Sequence, residues 1–386
     1  MALELPADHV EEAVRWRRHL HERPELGFEE IQTSAFVASK LSEWGYVVGG
    51  GYGKTGLVAT LSKGTSSKSI GIRADMDALP IMEATSLPYA SKTPGVMHAC
   101  GHDGHVASAL AAARSLTSVA FDGSVKFIFQ PAEENEGGAR VMMEDGLFRD
   151  HQIDAVFGMH NWPALPVGAL VARPDQMMAA FGTFEIIIKG KGAHGAMPHE
   201  GADPVVAASQ LVTALQTISS RNVSPLQSAV VSVTQIHGGD AWNVIPEQVA
   251  LRGTTRWFDE EVGEQIQHRV RQVATLVAEG LGCEAFVDYL VRYPATINDP
   301  TQAAIVRQVG ATHAAITVVD ALPSMAAEDF AFMLRDRPGC YFWLGAARSE
   351  GGNPGLHSSR YDFNDAVLPL AANLWVSLVE SELRAA

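Results

Sequence analysis

Two stretches at the start of the chain carry apolar residues at helical spacing: residues 8–21, with charged positions on one face, and residues 29–44, stopped by Gly45. Short apolar runs then alternate with helical stretches. LVATLS (57–62), SIGIRAD (69–75), SVKFIFQ (124–130) and AVFGMH (155–160) predict strands, and the alanine-rich HVASALAAARSL (105–116) predicts a helix. Such alternation predicts an α/β layered domain around a mostly parallel sheet. From about residue 180 the pattern changes. FGTFEIIIKG predicts a strand, PVVAASQLVTALQTIS a helix, QSAVVSVTQI and EQVALRGTTRW two strands, DEEVGEQIQHRVRQVATLVAEGL a long helix and CEAFVDYLV a last strand. That order, β-α-β-β-α-β, is the ferredoxin-like arrangement. Alternation resumes with a helix at 303–314, the strand CYFWLG (340–345) and a terminal helix from 365. The expected organisation is one α/β domain built from 1–179 and 295–386, interrupted by a small α+β insertion at 180–294. No internal repeat is found, and KGTSSKS (63–69) reads only as a flexible loop.

Composition leaves this picture intact. The 386 residues are 47% hydrophobic and 19% charged, an ordinary globular balance, and the length favours two domains. The net charge of −15 changes the list of partners, because it repels phosphate backbones and anionic membrane surfaces. Neither nucleic acid nor membrane is expected as a partner. The acidic, amphipathic start MALELPADHVEEAVRW lacks the basic and apolar regions of a secretory signal, and no apolar run approaches the roughly 18 to 20 residues that span a bilayer. Cys100, Cys283 and Cys340 are too few and too scattered for a disulfide framework, which favours a reducing compartment. A cytoplasmic location is expected.

The chemistry concentrates in a few places. M-H-A-C-G-H-D-G-H (97–105) puts four soft or borderline metal ligands within nine residues, and its glycines let the backbone turn so that Cys100 and His102 face one ion. A polar helix-entry loop with Asp103 as cap is the alternative for this segment. In F-I-F-Q-P-A-E-E-N-E-G-G a buried strand ends at Gln130-Pro131 and delivers Glu133 and Glu134 into a glycine-rich loop. Adjacent residues of extended backbone project in opposite directions, so one carboxylate can bind metal while its neighbour faces water. His160 stands at the C-terminal end of an apolar strand, where open α/β sheets gather their ligands. His357, in the late G-L-H, gains weight only from the rest of the set.

Together these segments resemble the M20 family of metallopeptidases and amidohydrolases, in the branch of aminoacylases, hippurate hydrolases and auxin-conjugate hydrolases. The resemblance runs through R-R-H-L-H-E-R-P-E-L-G-F (17–28), I-R-A-D-M-D-A-L-P-I (72–81), H-A-C-G-H-D-G-H and Q-P-A-E-E. It continues through G-x-x-A-H-G-A-M-P-H (190–199), N-V-I-P (243–246), E-D-F (328–330) and G-L-H. It implies a catalytic α/β domain with an inserted dimerisation domain, and two divalent metal ions held by Cys100, His102, Glu134, His160 and His357. Glu133 would be the general base, and His194 would polarise the scissile carbonyl in a neighbouring subunit's site. A homodimer, or a higher homo-oligomer containing it, is implied. Mixed sulfur, nitrogen and oxygen ligation leaves zinc, manganese, cobalt and nickel open.

Other positions carry less. Asp75 stands where the broader family has a ligand His and is not counted as a ligand, whereas Asp77 can orient one or cap a strand end. Asn243 matches a family substrate contact and also suits a turn. Arg256 can pair with a substrate carboxylate, and also suits an exposed strand end. Asp240-Ala241-Trp242 departs from the smaller, less acidic stretch common in relatives, so Trp242 is expected to reshape the acyl pocket. The expected activity is hydrolysis of the amide of a small-molecule N-acyl amino acid, N-acetyl, N-benzoyl or similar. The competing readings are a dipeptidase or aminopeptidase, which must accept a free ammonium group, and a non-catalytic dimeric metal-binding protein.

Overall fold

A computed structural model describes residues 5–134, 136–348 and 354–384. Asn135 of the acidic loop and the first four residues of the N-terminal segment lie outside the described residues. The chain divides into two compact units, one of Met1–Met177, Thr296–Pro323 and Asp329–Ala386, the other of Met178–Ala295 with Ser324–Glu328.

The first unit is built on an eight-stranded sheet. Its centre is four parallel strands in the order Gly123–Gln130, Ser69–Asp75, Ala155–Pro166 and Gly339–Ala347. Ser69–Asp75 is buried along its whole length, as a central parallel strand covered on both faces is. Gly56–Lys63 and Val47–Tyr52 extend one side as antiparallel strands, and Ala169–Val171 and Thr317–Val318 complete the other. The central helix, His102–Leu116, starts ahead of the apolar pattern because Gly101, in a left-handed conformation, turns the chain directly into it. Every residue of that helix except Arg114 is buried, between helices Ala7–His21 and Val367–Glu382. Its alanines make such close packing possible, and a Cβ at Gly104 would lie 2.3 Å from the Phe363 ring.

The second unit has a four-stranded antiparallel sheet, Ala229–His237, Gln248–Trp257, Ala180–Lys189 and Glu284–Tyr293 in that spatial order. Burial alternates residue by residue along Ala180–Lys189, so one face is a core and the other is open. Helices Pro204–Thr217 and Glu260–Gly280 cover the core face. Asp203 and Asp259 cap them, accepting the Val205 and Glu261 amide N–H groups at 2.8 and 2.9 Å. Residues 324–328 join this unit where Ala179 N–H meets the Ser324 and Ala326 carbonyls, both at 3.0 Å. Among the described residues no helix is long and apolar enough to cross a membrane.

Candidate metal centre

The polar clusters of the first unit converge at the C-terminal ends of its parallel strands, where strand ends in an open α/β sheet leave room for a ligand. Among the groups of potential ligand atoms that lie within 4.8 Å of one another are Cys100, His102 and His160; Cys100, Glu134 and His357; and His102, Glu133 and Glu134. All six are side chains named from the sequence. Gly101 makes the juxtaposition of Cys100 and His102 possible, with φ of 94° and no space for a side chain, since a Cβ would meet Asn161 Oδ1 at 2.4 Å.

The imidazoles are aimed by their neighbours. His102 Nδ1–H donates to the Asp77 carbonyl at 2.9 Å, leaving Nε2 buried without a hydrogen-bond partner. His160 Nδ1–H donates to the Asn161 carbonyl at 2.8 Å, and its Nε2 lies 3.3 Å from Cys100 Sγ. His357, held by its N–H on the Ala99 carbonyl at 2.8 Å, brings Nε2 to 3.1 Å from Glu134 Oε1, though without hydrogen-bond alignment. An orphaned ring nitrogen on His102 and a buried, unpartnered carboxylate oxygen on Glu134 are what a divalent cation satisfies, with Nδ1 fixing the tautomers of His102 and His160. The donor set fits a metal.

Glu133 and Glu134 correct one expectation. The strand ends at Gln130, and Ala132, at φ of 52°, turns the chain, so the two carboxylates sit in a turn rather than on extended backbone. They do not point to opposite sides: both come within 4.8 Å of His102. Glu134 N–H donates to Asp77 Oδ2 at 2.9 Å, so Asp77 holds both a cluster imidazole and the acidic loop. Asp103 does not cap the central helix; it is fully buried and accepts from His21 Nδ1–H at 2.8 Å. Asp75 is paired with Arg73 at 2.5 Å and with His105 Nδ1–H at 2.6 Å, and sits 3.8 Å from His102 Nε2. Arg17, His21 and His105 lay in recognisable motifs, but only contacts distant in sequence reveal their roles.

The electrostatics agree with the geometry. Burial pushes the Cys100 thiol well up, and the Glu134 and Glu133 carboxylates push it further. His102 resists charging because it is buried, yet Asp75, Asp77 and Glu134 overcome this and bring it up to about 10. Burial and the neighbouring His105 hold His160 far below the usual histidine range. The carboxylates around His102 thus favour positive charge at that imidazole.

The remaining candidates belong to the second unit. His194 lies on a two-residue strand paired with Val244–Ile245, and its Nδ1 accepts the Ala196 N–H at 3.1 Å. Asn243 fixes the same turn, its carbonyl accepting Gly195 N–H at 2.7 Å, and Trp242 beside it is fully exposed. Arg256 is not at an exposed strand end: its guanidinium stacks 4.2 Å over Phe181 and Nη1 donates to the Thr255 carbonyl at 3.0 Å.

Residues 71–381 match the family described as Peptidase family M20/M25/M40. An N-acetyl-L-cysteine deacetylase of Bacillus subtilis (strain 168) is 45% identical over 331 residues, covering 85% of this chain and 79% of that protein. A hippurate hydrolase of Campylobacter jejuni is 40% identical over 373 residues, covering 95% of this chain and 96% of that protein. The crystal structure of a Bacillus subtilis dinuclear metal-binding peptidase from the M20 family superposes with a TM-score of 0.85 at 35% identity, over 99% of this chain and 100% of that one.

Proposed function

The chain belongs to peptidase family M20/M25/M40, and from that premise we propose that it hydrolyses the amide bond of N-acyl amino acids to a carboxylic acid and a free amino acid. The observation that carries this reading is the convergence of Cys100, His102, Glu134, His160 and His357 on one cluster, with Glu133 beside them. In the proposal the five side chains hold two divalent cations and Glu133 does the proton work. Divalent cations in such a set supply positive charge that acidifies water and polarises a carbonyl. Glu133 takes the proton of the attacking water and returns it to the departing amine. Asp77 keeps His102 in the tautomer that leaves Nε2 available. Zinc, manganese, cobalt and nickel all suit a thiolate, imidazole and carboxylate set.

The second unit has two proposed roles. Its sheet has an edge strand that a second copy can cover around a two-fold axis, giving a homodimer. His194 supplies a donor to the oxyanion formed in the partner's site, and Asn243 and Arg256 contact substrate. The three cysteines are free and buried, which suits a reducing compartment, and a cytoplasmic location is proposed.

A turnover screen of metal-loaded protein against N-acetyl, N-benzoyl and long-chain N-acyl amino acids, beside simple dipeptides, tests the reading. N-acyl amino acids are expected to turn over with kcat/KM at least about tenfold above the dipeptides, a gap of roughly 1.4 kcal/mol. A preference for dipeptides, or no turnover on either class, rejects it.

A further inference from the structure

Glu30 is fully buried immediately before helix Ile31–Glu43, yet its side chain does not cap that helix. Glu25 serves there instead, accepting the Gln32 and Thr33 N–H groups at 3.0 and 2.9 Å. Glu30 reaches across to the acidic loop. Its Oε1 accepts the Ala132 N–H at 2.9 Å, and its Oε2 accepts the Thr55 hydroxyl at 2.6 Å. Burying a carboxylate is unfavourable unless hydrogen bonds compensate it, so the placement needs a reason.

Ala132 provides one. It is a buried non-glycine residue at φ of 52°, a conformation that L residues avoid, and it directs Glu133 and Glu134 out of the strand. The described residues of the turn are held at several points. Ala132 carbonyl accepts Gly138 N–H at 2.9 Å, and Gly27 lies so close that a Cβ there would be 3.0 Å from Ala132 Cβ. Asp77 accepts the Glu134 N–H at 2.9 Å and Asp329 the Ala139 N–H at 2.8 Å. Buried carboxylates thus hold the N–H groups on both sides of Glu133, Glu30 before it and Asp77 after it.

We propose that Glu30 is a positioning residue for the hydrolytic reaction: by gripping the Ala132 N–H it holds the left-handed turn that aims the Glu133 carboxylate. This rests on the reading of Glu133 as the base. Loss of the grip moves Glu133 without removing any group that binds substrate, so kcat falls and KM does not.

The test compares full-length, metal-saturated Glu30→Leu, Glu30→Asp, Glu30→Gln and Glu133→Gln proteins by kcat, KM, metal content and Tm. Glu30→Leu is expected to lose about 10- to 100-fold in kcat, as misplacement of a reacting group by about 1 Å does, with KM within about twofold and bound metal unchanged. Glu30→Asp, too short to reach Ala132, is expected to show the same loss and is read in its place if Glu30→Leu does not fold. Glu30→Gln keeps the acceptor oxygen and a donor toward Thr55, and is expected within about threefold of wild type. Wild-type kcat in folded Glu30→Leu or Glu30→Asp beside an inactive Glu133→Gln overturns the proposal. So does a Glu30→Gln protein as impaired as Glu30→Leu. Unfolding of both Glu30→Leu and Glu30→Asp makes the carboxylate purely structural and overturns it too, whereas an active Glu133→Gln rejects the underlying base assignment itself.

Discussion

Two loops carry polar residues tied to the proposed chemistry, and they are built in opposite ways. In the loop at 130–138, Gln130, Ala132 and Glu133 are buried, and the Ala132 and Glu134 N–H groups are held by Glu30 and Asp77. The loop at 238–243 is exposed, ends in Trp242 and Asn243, and is tied to the His194 strand by backbone pairing. The contrast separates two ways of placing a functional group. The first unit fixes its cluster from its own strand ends, so geometry there is set when the chain folds. His194 and Asn243 sit on an exposed surface of the second unit, where the roles proposed for them depend on a substrate or a second copy reaching it.

The sharpest way to break the contrast is Glu133→Gln, which keeps shape but cannot accept a proton. Turnover is expected to fall by roughly 10²-fold or more, with metal content and Tm close to wild type. Retention of more than about a tenth of kcat removes Glu133 as the base. On the exposed side, His194→Ala is expected to lower kcat by about 10²-fold without changing bound metal, the effect of removing one oxyanion donor. Co-expression of Glu133→Gln and His194→Ala chains is then expected to restore activity in verified mixed dimers, where one of the two sites regains both groups. Mixed dimers no more active than the parent homodimers would leave His194 without a role in trans.

A smaller effect sharpens the comparison from the stability side. His21 is buried against Asp103, with Glu83, Arg17, Tyr89 and His98 around it. Burial opposes its charge, but Asp103 and Glu83 overcome this and raise it to about 9 from 6.5. Because the folded value lies above the unfolded one, its contribution is fully present below pH 6.5 and is lost as pH rises through about 9. The contribution is up to about 3 kcal/mol. Denaturant unfolding across that window is expected to show stability falling in wild type and a shallower fall in His21→Gln. Identical profiles would show that the pair does not couple to folding.

Local signals in the chain were sufficient for most of the architecture. The short segments at 69–75, 124–130 and 181–190 read directly as strands, the first two buried on both faces and the third alternating in burial. The cluster ligands were legible because Cys100 and His102 are neighbours and the others stand at strand ends or in glycine-rich loops. The direction of Glu133 and Glu134 was not. It depends on Ala132 adopting a left-handed turn that an alanine does not announce, and on a grip from Glu30, 102 residues away. The packing of Arg256 was not legible for a similar reason: a position near a strand end reads as exposed, and only the fold brings Phe181 beneath it.

Counting metal decides the central claim most directly. Wild-type protein loaded with zinc or manganese and desalted is expected to retain about two cations per chain by elemental analysis, as a dinuclear centre requires. Cys100→Ala and His160→Ala proteins, folded by circular dichroism, are expected to retain about one or none. A wild-type chain that retains no cation, or Cys100→Ala and His160→Ala chains that hold as much metal as wild type, would contradict a metal centre built from these side chains.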